Sequence, residues 1–186
     1  MPFKAFTITF SGRVRQIITD TVVYPAFDPA APPNPLPVGI DTKALWDTGA
    51  SASVISARLA QQLGLVPVGK AQVGHAGGTS SSLTYLVNFM LPNAVGIIGV
   101  VVTEAPIFSG FDVLLGMDVI LHGDLSITHV DDKTCMSFRI PSYERIDYVK
   151  QHESIVRRLT GPNDPCPCGA KRPDGGPMKF KKCHGK

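Results

Sequence analysis

The chain has 186 residues, of which 44% are hydrophobic and 18% are charged, a composition that excludes an intrinsically disordered protein and is typical of a globular one. Its net charge of +3 is uneven, because residues 161–186 hold six lysines and arginines but only two acids, which makes that segment +4 and the preceding residues −1 together. The longest apolar run, residues 95–102, is far shorter than the roughly 20 residues of a membrane-spanning helix. The first residues also lack the pattern of a signal peptide, so we expect a cytoplasmic protein that does not insert into membranes.

Residues 3–64 predict short strands, a proline-rich loop and one helix. Runs rich in β-branched and aromatic residues indicate strands at residues 3–10, 16–24 and 42–46. Five prolines between residues 28 and 37 exclude a helix or a central strand there. Farther on, Ser56 can cap a helix that Gly64 ends in the left-handed conformation.

Residues 65–160 predict further short strands followed by a longer helix. The strands are expected at residues 70–73, 83–91, 96–103, 113–115, 125–129 and 135–140, with a helical turn at 117–121. Residues 74–79 form a glycine-rich tip between the first two of these strands. The spacing of apolar residues from Tyr143 to Leu159 indicates a helix that either links two domains or packs on the first, and Gly161-Pro162 ends it.

The triplet Asp47-Thr48-Gly49 follows the apolar strand Ala44-Leu45-Trp46 and is the first candidate site. It places a carboxylate on a tight turn at the end of a buried strand, where Thr48 can hydrogen-bond the backbone of the loop and Gly49 lets the backbone approach a neighbour closely. The triplet alone is a weak signal, because an Asp in a turn often hydrogen-bonds its own backbone in a structural role. The apolar-apolar-glycine sequence Leu114-Leu115-Gly116, farther along the chain, strengthens the catalytic interpretation.

Three segments together resemble the retropepsin-like aspartic proteases. The matched segments are residues 44–55, 59–65 and 113–118. The resemblance covers roughly residues 3–141 and implies a mainly β protein with a closed, mostly antiparallel fold and one catalytic Asp per subunit. It implies that Asp47-Thr48-Gly49 is the catalytic loop and that Leu114-Leu115-Gly116 crosses behind it as active-site support. Met117 departs from the family pattern, in which a basic residue often follows the glycine.

The resemblance also implies a substrate-covering flap and a dimer. The flap is expected at Gly74, His75, Ala76, Gly77 and Gly78, for which a plain hairpin turn is the alternative. Because the chain holds no second Asp-Thr-Gly or Asp-Ser-Gly, the Asp47 side chains of two copies have to meet at a two-fold axis to form the carboxylate pair that activates water. This predicts a homodimer that cleaves a peptide or protein substrate, with no metal or other cofactor for catalysis.

Four residues near the end of the sequence form a second candidate site. Cys166, Cys168, Cys183 and His184 offer three thiolates and an imidazole, the donor set of a tetrahedral structural zinc site. A disulfide between Cys166 and Cys168 is disfavoured by their closeness in sequence. A segment of about 25 residues has too little core to fold without such a staple, so we expect Zn²⁺ binding and folding to be coupled. Four protein ligands leave no open position for catalysis.

Residues 166–169 and 180–185 resemble the SEC-C motif, a small zinc module known from the end of the preprotein translocase motor and from many bacterial proteins. The segment between them, residues 170–178, departs from the motif by an insertion. The resemblance implies a docking role toward a chaperone, a ribosome or another anionic partner, which the lysines of the segment suit. A solvated basic tail is the alternative.

The sequence therefore predicts three parts: a retropepsin-like aspartic protease domain over residues 1–142, a linker helix over 143–160 and an SEC-C-like zinc-binding motif over 161–186. The function that it favours is a homodimeric aspartic endopeptidase targeted by its zinc docking module. Two alternatives stay open. One is a non-catalytic peptide-binding module with a zinc-dependent adaptor tail, and the other is an assembly protein in which the fold only dimerises.

Overall fold

The strands predicted in the first three quarters of the sequence form one unit of the structure. In the computed structural model, which describes residues 3–75, 78–106 and 110–185, the chain divides into two units, residues 1–143 and residues 144–186. Over these residues the first unit contains ten strands and two short α-helices, and the second contains a 12-residue helix followed by the segment with the Cys/His cluster. None of the helices in the described part of the chain is long and apolar enough to span a membrane.

The elements are short, as the frequent glycines and prolines predict. The strands are β1 (Lys4–Thr9), β2 (Ile18–Pro25), β3 (Ile40–Trp46), β4 (Val54–Ser56), β5 (Gly69–His75), β6 (Gly78–Leu91), β7 (Val95–Ala105), β8 (Val113–Leu115), β9 (Asp124–Thr128) and β10 (Cys135–Ile140). The helices are α1 (Ala57–Gln62), α2 (Met117–Ile120) and α3 (Tyr148–Leu159), with 3₁₀ turns at Pro92–Ala94 and Phe180–Lys182.

Six strands close into a ring. Seven strands form one sheet in the order β2–β3–β8–β4–β7–β6–β5, and an additional antiparallel pairing of β2 with β6 joins its two sides. The hairpin strand β5 is attached outside this ring and, within the described part of the chain, pairs with β6 alone. Most neighbours are antiparallel, but β3 pairs with β8, and β4 with β7, in parallel. The predicted closed, mainly β fold is therefore confirmed.

A second, three-stranded sheet packs on the ring through aromatic side chains. Its order is β1–β10–β9, with antiparallel pairing throughout. Phe6 of β1 and Phe138 of β10 contact Trp46 at the end of β3, with ring centroids 6.2 Å and 5.0 Å from the indole respectively. The indole Nε1–H donates to the buried Thr19 hydroxyl at 3.0 Å, so the polar atom of this core residue is satisfied. The cluster fixes the end of β3, where the Asp47 turn begins.

The two longer helices begin at the caps that their sequences provide. The Ser56 hydroxyl accepts a hydrogen bond from the Leu59 N–H at 3.1 Å at the start of α1, and Gly64 follows the helix with a φ of +61°, as predicted. Helix α3 begins at Tyr148 rather than Tyr143, because the side chain of Asp147 caps it by accepting from the Lys150 N–H at 3.1 Å. No residue of α3 is buried.

Asp112, which the sequence did not single out, connects α1 to the start of β8. Its carboxylate accepts hydrogen bonds from the Ser56 hydroxyl at 2.7 Å, the Arg58 guanidinium at 2.6 Å and the Thr42 hydroxyl at 3.1 Å. Only 9% of Asp112 is exposed. Burial acts to raise the pKa of this carboxyl, but the hydrogen bonds from Ser56, Arg58 and Thr42 and the charge of Arg58 outweigh burial, so the pKa lies below its ordinary value of 3.8.

We expect Asp112→Ala to reduce the stability of residues 1–143 in a pH-dependent way. At pH 7 the free energy of unfolding should fall by about 2 kcal/mol, because the buried Ser56 hydroxyl loses its acceptor, and the Tm should fall by about 6 °C. A carboxyl whose folded pKa is lowered stabilises the fold above the unfolded pKa and loses that effect as the pH falls through the folded pKa. The difference from wild type should therefore shrink below about pH 4, as thermal denaturation followed by circular dichroism can measure. A difference that stays constant between neutral and acidic pH would contradict this role.

Candidate active site and metal centre

The Asp47 turn lies where two parallel strands end together. Strand β3 pairs with β8 in the register Ala44↔Val113, Leu45↔Leu114 and Trp46↔Leu115. The Asp47 N–H continues this ladder by donating to the Leu115 carbonyl at 2.9 Å. Leu114-Leu115-Gly116 thus runs beside the start of the Asp47 turn, since the apolar pattern of both segments makes them neighbouring buried strands. Its role as active-site support stays a prediction.

The Asp47 carboxylate closes its own turn with one oxygen. Its Oδ1 accepts from the Gly49 N–H at 2.8 Å, and the Asp47 carbonyl accepts from the Ala50 N–H at 3.3 Å. Among the described residues, Oδ2 of Asp47 takes no hydrogen bond. Asp47 is half-buried, whereas Thr48 and Gly49 are exposed. The arrangement holds the side chain in a fixed orientation and leaves one carboxylate oxygen available to a ligand.

Gly116 is required by the close approach of the two turns. A Cβ at this position would lie 2.7 Å from the carbonyl carbon and oxygen of Ala52 and 3.0 Å from the carbonyl oxygen of Ala50, all of them backbone atoms that cannot rotate away. The next residue, Met117, donates its N–H to the same Ala50 carbonyl at 2.8 Å. A side chain at Gly116 would therefore push apart the turn that carries Asp47 and the turn that follows β8.

Ser53 and Asp118, which have no assigned role in the sequence, hold the Asp47 turn against the turn that follows β8. The buried Ser53 bonds to the Asp118 carboxylate through both its N–H at 2.8 Å and its hydroxyl at 2.7 Å. Asp118 follows the expected apolar-apolar-glycine sequence by two residues, so that spacing offers a signal for it. Ser53 gives no signal of its own, because its partner is 65 residues away in the chain.

Three of the five predicted flap residues, Gly74, His75 and Gly78, lie on a β-hairpin. Strands β5 and β6 pair antiparallel up to Gly74↔Thr79 and His75↔Gly78. Ala76 and Gly77 lie outside the described residues. The hairpin agrees with the predicted glycine-rich tip, although both strands extend closer to the tip than the sequence suggested. A substrate-covering role for Gly74, His75 and Gly78 stays a prediction, and so does that of Ala76 and Gly77.

The second unit brings the four predicted metal ligands together. The ligand atoms of Cys166, Cys168, Cys183 and His184 all lie within 4.8 Å of one another. The His184 Nδ1 is 3.3 Å from the sulfurs of both Cys166 and Cys183, and the Cys168 sulfur is 3.4 Å from that of Cys166 and 3.6 Å from that of Cys183. Ligand sulfurs around a tetrahedral zinc ion are separated by about 3.8 Å. The cluster therefore fits a divalent metal such as zinc.

Backbone hydrogen bonds shape the chain around this cluster. The Cys166 N–H donates to the Met178 carbonyl at 2.8 Å, and the Gly169 N–H donates to the Cys166 carbonyl at 3.0 Å. Gly169 has a φ of +75°, which turns the chain back after the first two ligands. The Cys183 N–H bonds to the Phe180 carbonyl at 3.0 Å, with the Phe180 ring buried. The two ligand pairs are thus brought together by a few turns and one apolar side chain.

Contacts among the four residues shift the pKa values of two of the thiols in opposite directions. The N–H of Cys168 and the neighbouring His184, Cys168 and Cys183 side chains lower the pKa of Cys166 to about 6. The hydrogen bond to Cys168, burial and the neighbouring Cys166 raise the pKa of Cys183 to about 11. The bare cluster would therefore retain a proton at neutral pH. A divalent cation would remove it, because metal ligation requires the thiolate form.

Comparison with known proteins bears on the first unit. Residues 38–122, somewhat less than half of the chain, match the model of the family described as gag-polyprotein putative aspartyl protease. A search of curated proteins finds no match to this chain.

Several solved structures are similar at low sequence identity. A retropepsin-like aspartic protease from Rickettsia conorii is 14% identical with a TM-score of 0.46, over 75% of this chain and 96% of that one. The EIAV protease complexed with the inhibitor HBY-793 is 19% identical with a TM-score of 0.41, over 57% of this chain and 86% of that one. The foamy viral protease-reverse transcriptase in complex with an RNA/DNA hybrid is 17% identical with a TM-score of 0.37, over 67% of this chain and 14% of that one. The family match covers Asp47 and Leu114-Leu115-Gly116, and it supports an aspartic protease.

Proposed function

We propose that this chain is a homodimeric aspartic endopeptidase in which Asp47 of each copy supplies one of two catalytic carboxylates. The observation that carries the proposal is the geometry of Asp47. One of its oxygens is fixed by the Gly49 N–H, the other takes no hydrogen bond among the described residues, and its turn is backed by Leu114-Leu115-Gly116. The match of residues 38–122 to an aspartyl protease family supports the same chemistry.

The chemistry follows from two carboxylates in close proximity. Two Asp47 side chains a few ångströms apart cannot both ionise easily, so they share a proton and titrate as a pair. The ionised carboxylate takes a proton from a bound water, whose oxygen attacks the carbonyl carbon of the peptide bond. The protonated carboxyl gives its proton to the carbonyl oxygen, which forms a gem-diol. The carboxyl that took the water proton then passes it to the leaving nitrogen as the C–N bond breaks, and a gem-diol hydroxyl returns a proton to the other carboxylate. Catalysis requires no metal.

The dimer follows from the presence of a single Asp-Thr-Gly triplet in the chain. One Asp47 cannot provide both the base and the acid, so the second carboxylate comes from a second copy. A two-fold axis that passes between the two Asp47 residues makes the interface isologous, with the same surface contributed by each copy. The flap predicted at Gly74, His75, Ala76, Gly77 and Gly78 would then cover a peptide bound across this axis.

The proposed enzyme has three parts, and the last of them targets the protease to a partner. Residues 1–142 form the protease domain, residues 143–160 the linker and residues 161–186 an SEC-C-like zinc module. Zn²⁺ would be held by Cys166, Cys168, Cys183 and His184 with no open coordination position, so its role is structural. The six lysines and arginines of this module suit a chaperone, a ribosome or another anionic partner in the cytoplasm.

The enzymatic role is tested by Asp47→Asn. We expect this variant to cleave no member of an unfolded peptide library, because an amide cannot act as the base, while analytical ultracentrifugation still shows a dimer. Asp41→Asn is the matched control, since Asp41 is an exposed carboxylate on the same strand β3 and its loss should leave cleavage unchanged. Absence of cleavage by the wild-type protein at every pH from about 3 to 8 would favour the non-catalytic peptide-binding or dimerisation module instead.

The zinc assignment is tested by metal analysis and by chelation. The purified protein should contain about one zinc per chain, and Cys183→Ser should lose it. Cys135→Ser is the matched control, because Cys135 lies on β10 in the other unit and outside the cluster. Chelation should collapse the amide signals of residues 161–186 in an NMR spectrum while those of residues 1–143 persist. A metal-free protein whose residues 161–186 stay folded would refute the assignment.

A further inference from the structure

Asp118 connects the segment after the Asp47 turn to the turn after β8. Its Oδ2 accepts from the Ser53 N–H at 2.8 Å. Its Oδ1 accepts from the Ser53 hydroxyl at 2.7 Å and from the Val119 N–H at 2.9 Å. All three contacts require Asp118 to accept, which an ionised carboxylate does with both oxygens. Asp118 thus binds the backbone and the side chain of one residue at the same time, which fixes Ser53 in a single orientation.

Ser53 also hydrogen-bonds Gly116, so its fixed orientation restricts the position of Gly116. Its side chain is fully buried, and its hydroxyl proton is committed to Asp118. The same Ser53 oxygen accepts from the Gly116 N–H at 3.0 Å, so the hydroxyl donates in one direction and accepts in the other. The Ser53 carbonyl accepts from the Thr103 N–H at 3.1 Å. Each polar group of Ser53 therefore has a partner. Removal of the Asp118 carboxylate leaves the N–H and the hydroxyl proton of Ser53 without an acceptor.

The contacts of Gly116 and its neighbours reach Asp47. Gly116 lies directly against the backbone of Ala50 and Ala52, and the Met117 N–H donates to the Ala50 carbonyl. On the other side, the Leu115 carbonyl accepts from the Asp47 N–H at 2.9 Å. Residues 47 to 53 are consequently tied to residues 115 to 118 at both ends. A shift of Ser53 relative to Gly116 would be transmitted to the turn that carries the Asp47 carboxylate.

Asp112, at the other end of β8, offers a natural comparison. Its carboxylate also accepts several hydrogen bonds, but they come from Ser56, Arg58 and Thr42. None of these donors belongs to residues 47–53. Of the two aspartates that flank β8, Asp112 connects the strand to α1 and β3, whereas Asp118 connects it to the Asp47 loop.

We propose that Asp118 is a positioning residue for Asp47, acting through Ser53 and the backbone of Gly116. The proposal rests on the function proposed above, because it gives Asp118 the task of holding one carboxylate at the distance from its dimer partner at which both can share a proton. Such a pair depends steeply on its spacing, and a misplacement of about 1 Å can lower a rate on the order of 10²-fold. Asp118 itself does not touch the substrate.

The test compares Asp118→Ala, Asp118→Asn and Asp112→Ala with a peptide that the wild-type protein cleaves, well below the lowest Tm of the set. We expect Asp118→Ala to lower kcat on the order of 10²-fold with KM little changed, because the peptide still binds but Asp47 is misplaced. Asp118→Asn should be intermediate, since its amide oxygen can accept one bond from Ser53 but its nitrogen cannot accept the other. Asp112→Ala should lower the Tm at least as much as Asp118→Ala does, while the kcat of Asp112→Ala stays near the wild-type value.

An effect of Asp118→Ala on kcat no larger than that of Asp112→Ala would overturn the positioning role and leave Asp118 as a structural residue. Should Asp118→Ala fail to fold, Ser53→Ala removes the same hydroxyl bridge and is expected to lower kcat in the same way. An unchanged kcat in Ser53→Ala would equally refute the proposal.

Amide hydrogen exchange separates this proposal from the proposed function. Asp118→Ala should speed exchange at the Asp47 and Met117 amides more than Asp112→Ala does, whether or not the protein is an enzyme. An inactive wild-type protein would remove the proposed function, and the exchange rates would then decide the coupling of Asp118 to Asp47. Unchanged protection of the Asp47 amide would overturn that coupling.

Discussion

The parallel pairing of β3 with β8 determines where the candidate catalytic carboxylate lies. The two strands end side by side, so that the Asp47 N–H meets the Leu115 carbonyl as the last rung of their ladder. A turn that begins at such a rung has little freedom, because its first residue is already paired. The remainder of the turn is held by the absence of a side chain at Gly116, which lets the two backbones approach to within contact distance. Backbone pairing and close backbone packing therefore place the Asp47 turn, and the side chains of Ser53 and Asp118 hold the same contact.

Much of this arrangement is visible in the sequence because its signals are local. An apolar strand before Asp47, a capping serine at Ser56 and a glycine at Gly64 each predict a feature within a few residues, and the structure contains all three. The closure of the ring is different, since it depends on β2 meeting β6 at a distance of more than sixty residues in the chain and no short pattern encodes that pairing. The same applies to Asp112 and to Ser53, because each has its hydrogen-bond partner more than fifty residues away in the chain.

The Cys/His cluster could also be predicted from local signals. Its four ligands come from two short segments, and the donor set itself identifies the chemistry. What the sequence could not supply was the path between them, residues 170–178, which the structure forms as a tight hairpin with the Arg172 N–H donating to the Gly176 carbonyl at 2.7 Å and Gly175 at a φ of +81°. The predicted start of α3 at Tyr143 also differs from the observed start at Tyr148. Apolar spacing extends back to Tyr143, but the cap at Asp147 decides where the helix begins.

The closed ring has a consequence for how motion is distributed in the first unit. A strand within the ring has a neighbour on each side, so it cannot separate without breaking two ladders, and we expect its strands to open together in a cooperative manner. Strand β5 has β6 as its single neighbour and can detach at the cost of one ladder. Local opening is thus concentrated in the hairpin of β5 and β6, while the Asp47 turn belongs to the part that opens last. In the endopeptidase proposed above, this division would let the hairpin of β5 and β6 move while the Asp47 turn stays rigid.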